Sequence, residues 1–226
     1  MLENFIYGIL NLTGFGNLSG LKFLLYLYST KRQIIMIHAL QRGNTYHIYN
    51  RGINSDILFK EKTNYEYFLL LFEDHIEPIA ETYAWCLMKN HFHFIVRLKK
   101  LEEIKIEKII EPSQSFSNLF NAYTKSYNKR NNRTGALFER PFRRVLINNS
   151  PYLNNAIVYV HNNPVNHIIC EHPLNYPWSS YISLLSNKPT KIKRNQVLES
   201  FGNRENFILE HLKNKSDYET LEKFGF

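Results

Sequence analysis

The sequence predicts an α+β fold: a ferredoxin-like sandwich in which helices pack on a four-stranded antiparallel sheet, followed by a helical C-terminal tail. Three observations predict it. Strand-like and helix-like segments follow one another as strand, helix, strand, strand, helix, strand, helix, an order that suits helices laid on one antiparallel sheet. The two middle strands meet at Lys89-Asn90, a two-residue turn that makes them a hairpin. The second of them, His91-Phe-His-Phe-Ile-Val-Arg-Leu98, alternates with period 2. Phe92, Phe94, Val96 and Leu98 form a core face for helices to cover, and His91, His93, Ile95 and Arg97 form the other.

In chain order, residues 1–35 read as an N-terminal extension outside the core. Gly14, Gly16 and Gly20 punctuate it, and its apolar run from Leu21 to Tyr28 is too short to span a bilayer. Lys31-Arg32 follow that run, whereas a secretory signal carries its charge in front. Residues 36–181 should form the sandwich and 182–226 the helical tail. The first strand, Tyr46 to Gly52, puts Tyr46, Ile48 and Asn50 on one face and His47, Tyr49 and Arg51 on the other. Thr63 is expected to cap a helix to about Ile76, with Tyr67, Leu70, Leu71 and Asp74 at helical spacing and Pro78 as the stop. Ile79 to Met88 is the second strand. Past a charged segment, Pro112-Ser113 leads into a helix whose apolar face is Phe116, Leu119, Phe120, Tyr123 and Tyr127. Pro141 to Ile147 reads as an edge strand. Ser150 as N-cap, with Pro151 at the first helical position, opens the next helix. Its stripe is Leu153, Ala156, Ile157 and Val160, and it should end near Asn162, ahead of Pro164.

Composition limits the classes. With 226 residues, 44% of the chain apolar, the protein can bury an ordinary core. A net charge of +8 combined with 15 Tyr and 16 Phe joins positive charge to flat rings, as a surface for unpaired nucleic acid does. The densest basic stretch is Lys125 to Arg144. Cys86 and Cys170 are the two cysteines, far apart and outside any Cys-x-x-Cys spacing, which excludes a disulfide scaffold and a Cys-rich zinc site and fits a reducing cytoplasm. No membrane association is expected.

Two places carry candidate chemistry. His91 and His93 sit side by side on one strand face, roughly 7 Å apart along the strand, close enough to share one metal ion if a third ligand arrives from elsewhere. On the helix from Pro151, Tyr159 and Asn163 are four residues apart and about 40° apart around the axis, so a hydroxyl and an amide oxygen share a face. Two imidazoles and an amide oxygen suit Mn²⁺ or Mg²⁺ better than a closed zinc site. The bland alternative is that the histidines pack, that Asn163 terminates a helix before Pro164, and that Tyr159 is a half-buried packing residue. Tyr123 and Tyr127 lie on the apolar stripe of their own helix and are assigned to the core.

Leu-Met-Lys-Asn-His-Phe-His-Phe-Ile-Val (87–96), Arg-Thr-Gly-Ala-Leu-Phe-Glu-Arg-Pro-Phe-Arg-Arg (133–144) and Tyr-Val-His-Asn-Asn-Pro-Val (159–165), followed by Trp178-Ser-Ser-Tyr181, together resemble the REP-associated tyrosine transposases of the single-tyrosine HUH superfamily. The resemblance covers about Tyr46 to Tyr181. It implies the same ferredoxin-like fold, His91 and His93 as metal ligands, Asn163 in a ligand position that some relatives fill with Gln, and Tyr159 as nucleophile. It also implies a divalent cofactor, Mg²⁺ or Mn²⁺, and metal-assisted transesterification of single-stranded or hairpin DNA through a 5′-phosphotyrosine. Arg130, Arg133, Arg140, Arg143 and Arg144 are candidate phosphate contacts, with Asn50 and Arg51 approaching from the adjacent strand. Two other readings stand beside this one: a non-cleaving nucleic-acid-binding module of the same fold, and a metal-dependent phosphoesterase that uses water. The protein is expected to be a monomer or homodimer.

Overall fold

A computed structural model describes residues 39–105 and 110–213. The extension at 1–35 and the tail beyond 213 lie outside the described residues. Four strands, β1 (Thr45–Arg51), β2 (Ala80–Met88), β3 (His91–Leu98) and β4 (Arg143–Ile147), form one sheet in the order β2-β3-β1-β4. Every neighbouring pair is antiparallel. Helices α1 (Lys62–His75) and α2 (Pro112–Arg130) cover one face. Helix α3 (Ser150–Asn166) covers the other, with the short helices α4 (Tyr181–Leu185), α5 (Arg194–Ser200) and α6 (Arg204–Leu212). The architecture is the predicted α+β sandwich.

The first core follows the alternation of β3. Phe92, Phe94, Val96 and Leu98 join Tyr46 and Ile48 of β1 beneath α1 and α2. Phe72 stacks on Phe94 at 4.1 Å between ring centroids, and Tyr123 meets Phe68 edge-on at 5.0 Å. The α2 stripe is buried as predicted. Tyr123 and Tyr127 donate their hydroxyls to the carbonyls of Leu58 and Ile57, at 2.6 and 2.5 Å. The α1 face is rotated from expectation: Phe68, Leu71 and Phe72 are buried, and Tyr67 and Leu70 are exposed. Tyr-Glu-Tyr-Phe-Leu-Leu-Leu-Phe is apolar almost all round, so its period is ambiguous. Glu61, not Thr63, occupies the N-cap, and Asn64 Oδ1 accepts from the Lys60 and Glu61 amides at 3.0 and 3.1 Å.

The second core packs Ala156, Ile157 and Val160 of α3 over Ile95, Cys86 and Met88, and adds Tyr181, Leu184, Val197, Phe201 and Phe207. Residues past Tyr181 therefore share this core. A register shift between Thr82 and Ala84 places Tyr83 and Ala84 consecutively on this side before Trp85 and Leu87 turn to the first. The Trp178-Ser-Ser segment is an edge pairing. Ser180 N donates to Trp85 O and Leu87 N to Trp178 O, both at 2.9 Å, so the outer edge of β2 is covered.

Two details of α3 depart from expectation. Its N-cap is Asn149, whose Oδ1 accepts from Tyr152 N at 2.8 Å, with Ser150 already helical. The helix also runs through Pro164 to Asn166. In the last turn a proline removes one N–H from a ladder that is about to end, and His167 N still closes on Asn163 O at 3.0 Å. No helix among the described residues is long and apolar enough to cross a membrane.

Candidate active site

Where β1 and β3 run side by side beneath α3, their odd-numbered residues form a polar cluster. Antiparallel register sets Tyr49 opposite His93 and Arg51 opposite His91, so the histidine face of β3 continues across β1 as His47, Tyr49 and Arg51. His47 and His93 are 2% and 3% exposed, and Asn163 is 1% exposed. Tyr159 is half-buried on α3, its ring edge-on to His93 at 5.6 Å and to His47 at 6.2 Å. Asn163, one turn further along α3, reaches His91: Oδ1 lies 3.0 Å from Nε2. The four residues His91, His93, Tyr159 and Asn163 thus converge from a strand and a helix.

The hydrogen bonding defines what this cluster can hold. His91 Nδ1 lies 2.8 Å from Asn90 Oδ1, and its Nε2 faces Asn163 Oδ1. Burial lowers the His91 pKa to about 4, with the Asn163 contact opposing and the His167 and Arg51 charges adding to it. The ring is therefore neutral at pH 7 and has one N–H to give. If Nδ1–H goes to Asn90, the Nε2 lone pair and the amide oxygen are two acceptors turned to each other, which a shared cation would satisfy. His93 Nδ1 lies 3.0 Å from His47 Nε2, and the two rings stack at 5.2 Å. Burial lowers His47 to about 3 and holds His93 well below the usual histidine range, with His47, His91 and His167 adding to the effect. Neutral imidazoles are the metal-binding form. Among the described residues no three His, Cys, Asp or Glu side chains are grouped to hold a metal. A cation here would have two imidazoles and an amide oxygen, leaving positions for substrate oxygens.

Sequence pattern alone does not mark His47 and His167 as part of the site. His47 carries the strand alternation that would have marked it, but only the β1–β3 pairing brings it to His93. His167, exposed at the C-cap of α3, lies 5.3 Å from His91 ring to ring. It is four residues beyond Asn163, a spacing legible only if the helix passes through Pro164.

The candidate DNA contacts divide. Arg51 and Arg143 lie on the histidine face, Arg143 opposite Tyr49. Burial raises the Tyr49 pKa, and the Arg143 charge opposes that. Arg51 is held by Glu139 at 2.5 Å, and Gly52 behind it has no room for a Cβ, which would overlap the Asp56 carbonyl oxygen. Asn50 and Arg144 point to the opposite face and, with Arg140, line a separate cleft beside α2. Arg130 pairs with Glu61 at 2.8 Å and Arg133 with Asp56 at 3.3 Å, at the far end of α2. Asn50 is 4% exposed, and its amide donates to Glu139 O at 3.1 Å, so it braces the loop after α2.

No protein-family profile and no curated protein matches the chain. Among solved structures the fold is similar to that of a REP-associated tyrosine transposase bound to a REP hairpin. The two share 17% identity over 67% of this chain and 86% of that one, with a TM-score of 0.51. A bacterial tRNA(His) guanylyltransferase-like protein in complex with ATP aligns over 83% of this chain and 78% of that one, at 10% identity and a TM-score of 0.38. The first likeness defines the class of fold: a four-stranded antiparallel sheet with helices packed on it, as in the transposase.

Proposed function

We propose that this protein is a metal-dependent tyrosine transposase that cleaves single-stranded DNA at hairpin-forming repeats and transfers the strand through a 5′-phosphotyrosine. The observation that carries this reading is the meeting of His91, His93 and Asn163 with the Tyr159 ring on one face of the sheet. The DNA-bound transposase of similar fold supports it.

His91, His93 and Asn163 are the residues that would hold a divalent ion, Mg²⁺ or Mn²⁺, which in such a site supplies Lewis-acid polarisation of a phosphate oxygen. His47 fixes the ring of His93, and Asn90 that of His91, so both imidazoles keep their orientation. Tyr159 is the nucleophile. Its phenol oxygen forms a bond to phosphorus as the P–O3′ bond breaks; the phenol loses its proton and the 3′-oxygen gains one. The products are a 5′-phosphotyrosine and a free 3′-hydroxyl, and attack by an incoming 3′-hydroxyl restores the phenol. Arg51 and Arg143, on the same face, would position the phosphates on either side.

Incubation with end-labelled hairpin DNA and Mn²⁺, followed by a denaturing gel, is expected to show a protease-sensitive protein–DNA adduct. Cleaved product lacking an adduct would assign water as the nucleophile, and intact DNA would leave a binding module.

A further inference from the structure

The turn of α3 that carries Tyr159 and Asn163 is also gripped from behind. At about 100° per residue, His161 lies about 200° round the axis from both of them, on the side turned away from the β3 histidines, and Asn162 follows it. These two side chains are buried, at 0% and 6% exposure, although neither belongs to the tyrosine site. Their partner is His211 in the last turn of α6, itself 5% exposed. His161 Nδ1 lies 2.9 Å from His211 Nε2, and Asn162 Nδ2 donates to the His211 carbonyl at 3.1 Å.

The contacts form one directed chain. The Phe207 carbonyl accepts from His211 Nδ1 at 2.7 Å, which leaves His211 Nε2 to accept from His161 Nδ1. His161 Nε2 then accepts from the Ser180 hydroxyl at 2.7 Å, and Ser180 Oγ accepts from Trp85 N at 2.8 Å. Trp85 belongs to β2, whose next residue, Cys86, stands opposite His93 in the sheet. The chain therefore runs from the sheet that holds the histidines to the back of the helix that holds the tyrosine. In front, Asn163 closes the circuit on His91 at 3.0 Å. The setting is apolar: Phe201 and Phe207 pack on the His211 ring, 6.1 and 4.2 Å between centroids. Aliphatic side chains would fill that space without the desolvation cost of three buried polar ones. What a satisfied polar chain adds is a single arrangement, because each bond fixes a direction as well as a distance.

We propose that His161 and His211 are positioning residues for strand cleavage: their bond, with that of Asn162, sets the rotation of α3 that keeps Tyr159 and Asn163 over the β3 histidines. This rests on the tyrosine reading above and extends it to α6, whose His211 is 50 residues beyond His161 in the chain. A small roll of α3 swings the phenol oxygen off the line of attack and the amide oxygen off His91. Misplacement of reacting groups by about 1 Å costs on the order of a hundredfold in rate.

The test uses the full chain and compares variants by the single-turnover rate of adduct formation on labelled hairpin DNA with Mn²⁺, beside thermal melting and hairpin affinity. His161→Leu with His211→Leu fills the space without the bonds, and the Ser180 hydroxyl keeps Trp85 O at 3.2 Å as an acceptor. This pair should melt at or above wild type and bind the hairpin within about twofold, while the adduct forms about tenfold or more slowly. His211→Gln, whose amide oxygen can stand in for Nε2, should keep the rate within about threefold, and His211→Met, of equal length without the acceptor, should lose about tenfold. A Leu pair that reacts at the wild-type rate, Gln and Met variants of equal rate, or a rate loss matched by an equal loss of hairpin affinity would each overturn the positioning role. Should the Leu pair not melt cooperatively, Gln against Met decides alone. If wild type forms no adduct, the tyrosine reading fails and the positioning role with it; an adduct in wild type and an unimpaired Leu pair remove the positioning role alone.

Discussion

The two faces of the sheet are made by the same strands and separated by one residue of register. On the side of α1 and α2, the strand residues Phe92, Phe94, Val96 and Ile48 need only shape and area to be satisfied. On the side of α3, the space is filled by groups that also demand directed partners: His47 and His93 with each other, His91 with Asn163. The same demand recurs deeper in that layer. His211 Nδ1 faces the Phe207 carbonyl at 2.7 Å and must donate to it, so its Nε2 accepts from His161 Nδ1 at 2.9 Å. His161 Nε2 then accepts from the Ser180 hydroxyl at 2.7 Å. Neutral rings satisfy the whole chain, which ties α6 and α3 to the segment on the edge of β2. An apolar face tolerates many substitutions of similar volume, whereas a hydrogen-bonded face holds its groups in one arrangement. The proposed tyrosine site lies on the second kind.

The largest separation between the faces should appear in activity. His91→Ala with His93→Ala is expected to abolish strand cleavage while hairpin affinity stays within about tenfold, because basic and aromatic contacts supply most of the binding. Mn²⁺-dependent cleavage by the double variant would remove the histidines from the mechanism. Phe94→Ala should do the reverse, costing about 3–5 kcal/mol in denaturant melts. Any loss of cleavage in that variant should track the unfolded fraction.

Acid should also separate them. Burial lowers His211 to about 4 and His161 well below the usual range. In the unfolded chain both titrate near 6.5 and take up protons that the folded state refuses. Stability is therefore complete above about pH 6.5 and falls below it, by about 1.4 kcal/mol per pH unit for each histidine. His47, His91 and His93 act with the same sign. Glu77, whose carboxyl is raised by burial, opposes them. Glu103, held down to about 2 by Arg97, adds to the loss only as pH falls through the ordinary carboxylate range toward that value. Urea midpoints at pH 7.5 and 5.5 should differ in that direction, and a flat profile would mean the rings are not buried neutral. The smallest effect is expected at Tyr123→Phe, which loses the bond to Leu58 O and about 1 kcal/mol, with cleavage intact.

Legibility in the sequence followed the same division. Period 2 in His91 to Leu98 revealed both faces of β3 because polar residues recur at every second position there, with Ile95 the one exception. The α2 stripe was equally clear, with polar residues between its aromatics. In α1 the unbroken apolar run hid the period, and the buried face came out rotated. The pairing of His91 with Asn163 could be anticipated from a strand and a helix each carrying part of the ligand set that the resemblance implies. The role of His47 could not, since β1 and β3 are neighbours in space but not in sequence, and register between such strands is set by the whole sheet. The division of the arginines was hidden for a related reason: Arg143 and Arg144 are consecutive and point to opposite faces, so one basic run is split between them.

The half-buried Tyr159 against His93 is proposed as a nucleophile and not a packing residue. Tyr159→Phe keeps the ring and removes one oxygen, and the adduct on labelled hairpin DNA with Mn²⁺ is the measurement that separates the two roles. The expected result is unchanged melting and DNA affinity, no cleavage and no covalent adduct, with Tyr123→Phe and Tyr127→Phe still forming it. An adduct that persists in Tyr159→Phe and vanishes in either of the others would move the nucleophile to α2, and an adduct in all three variants would contradict the single-tyrosine mechanism itself.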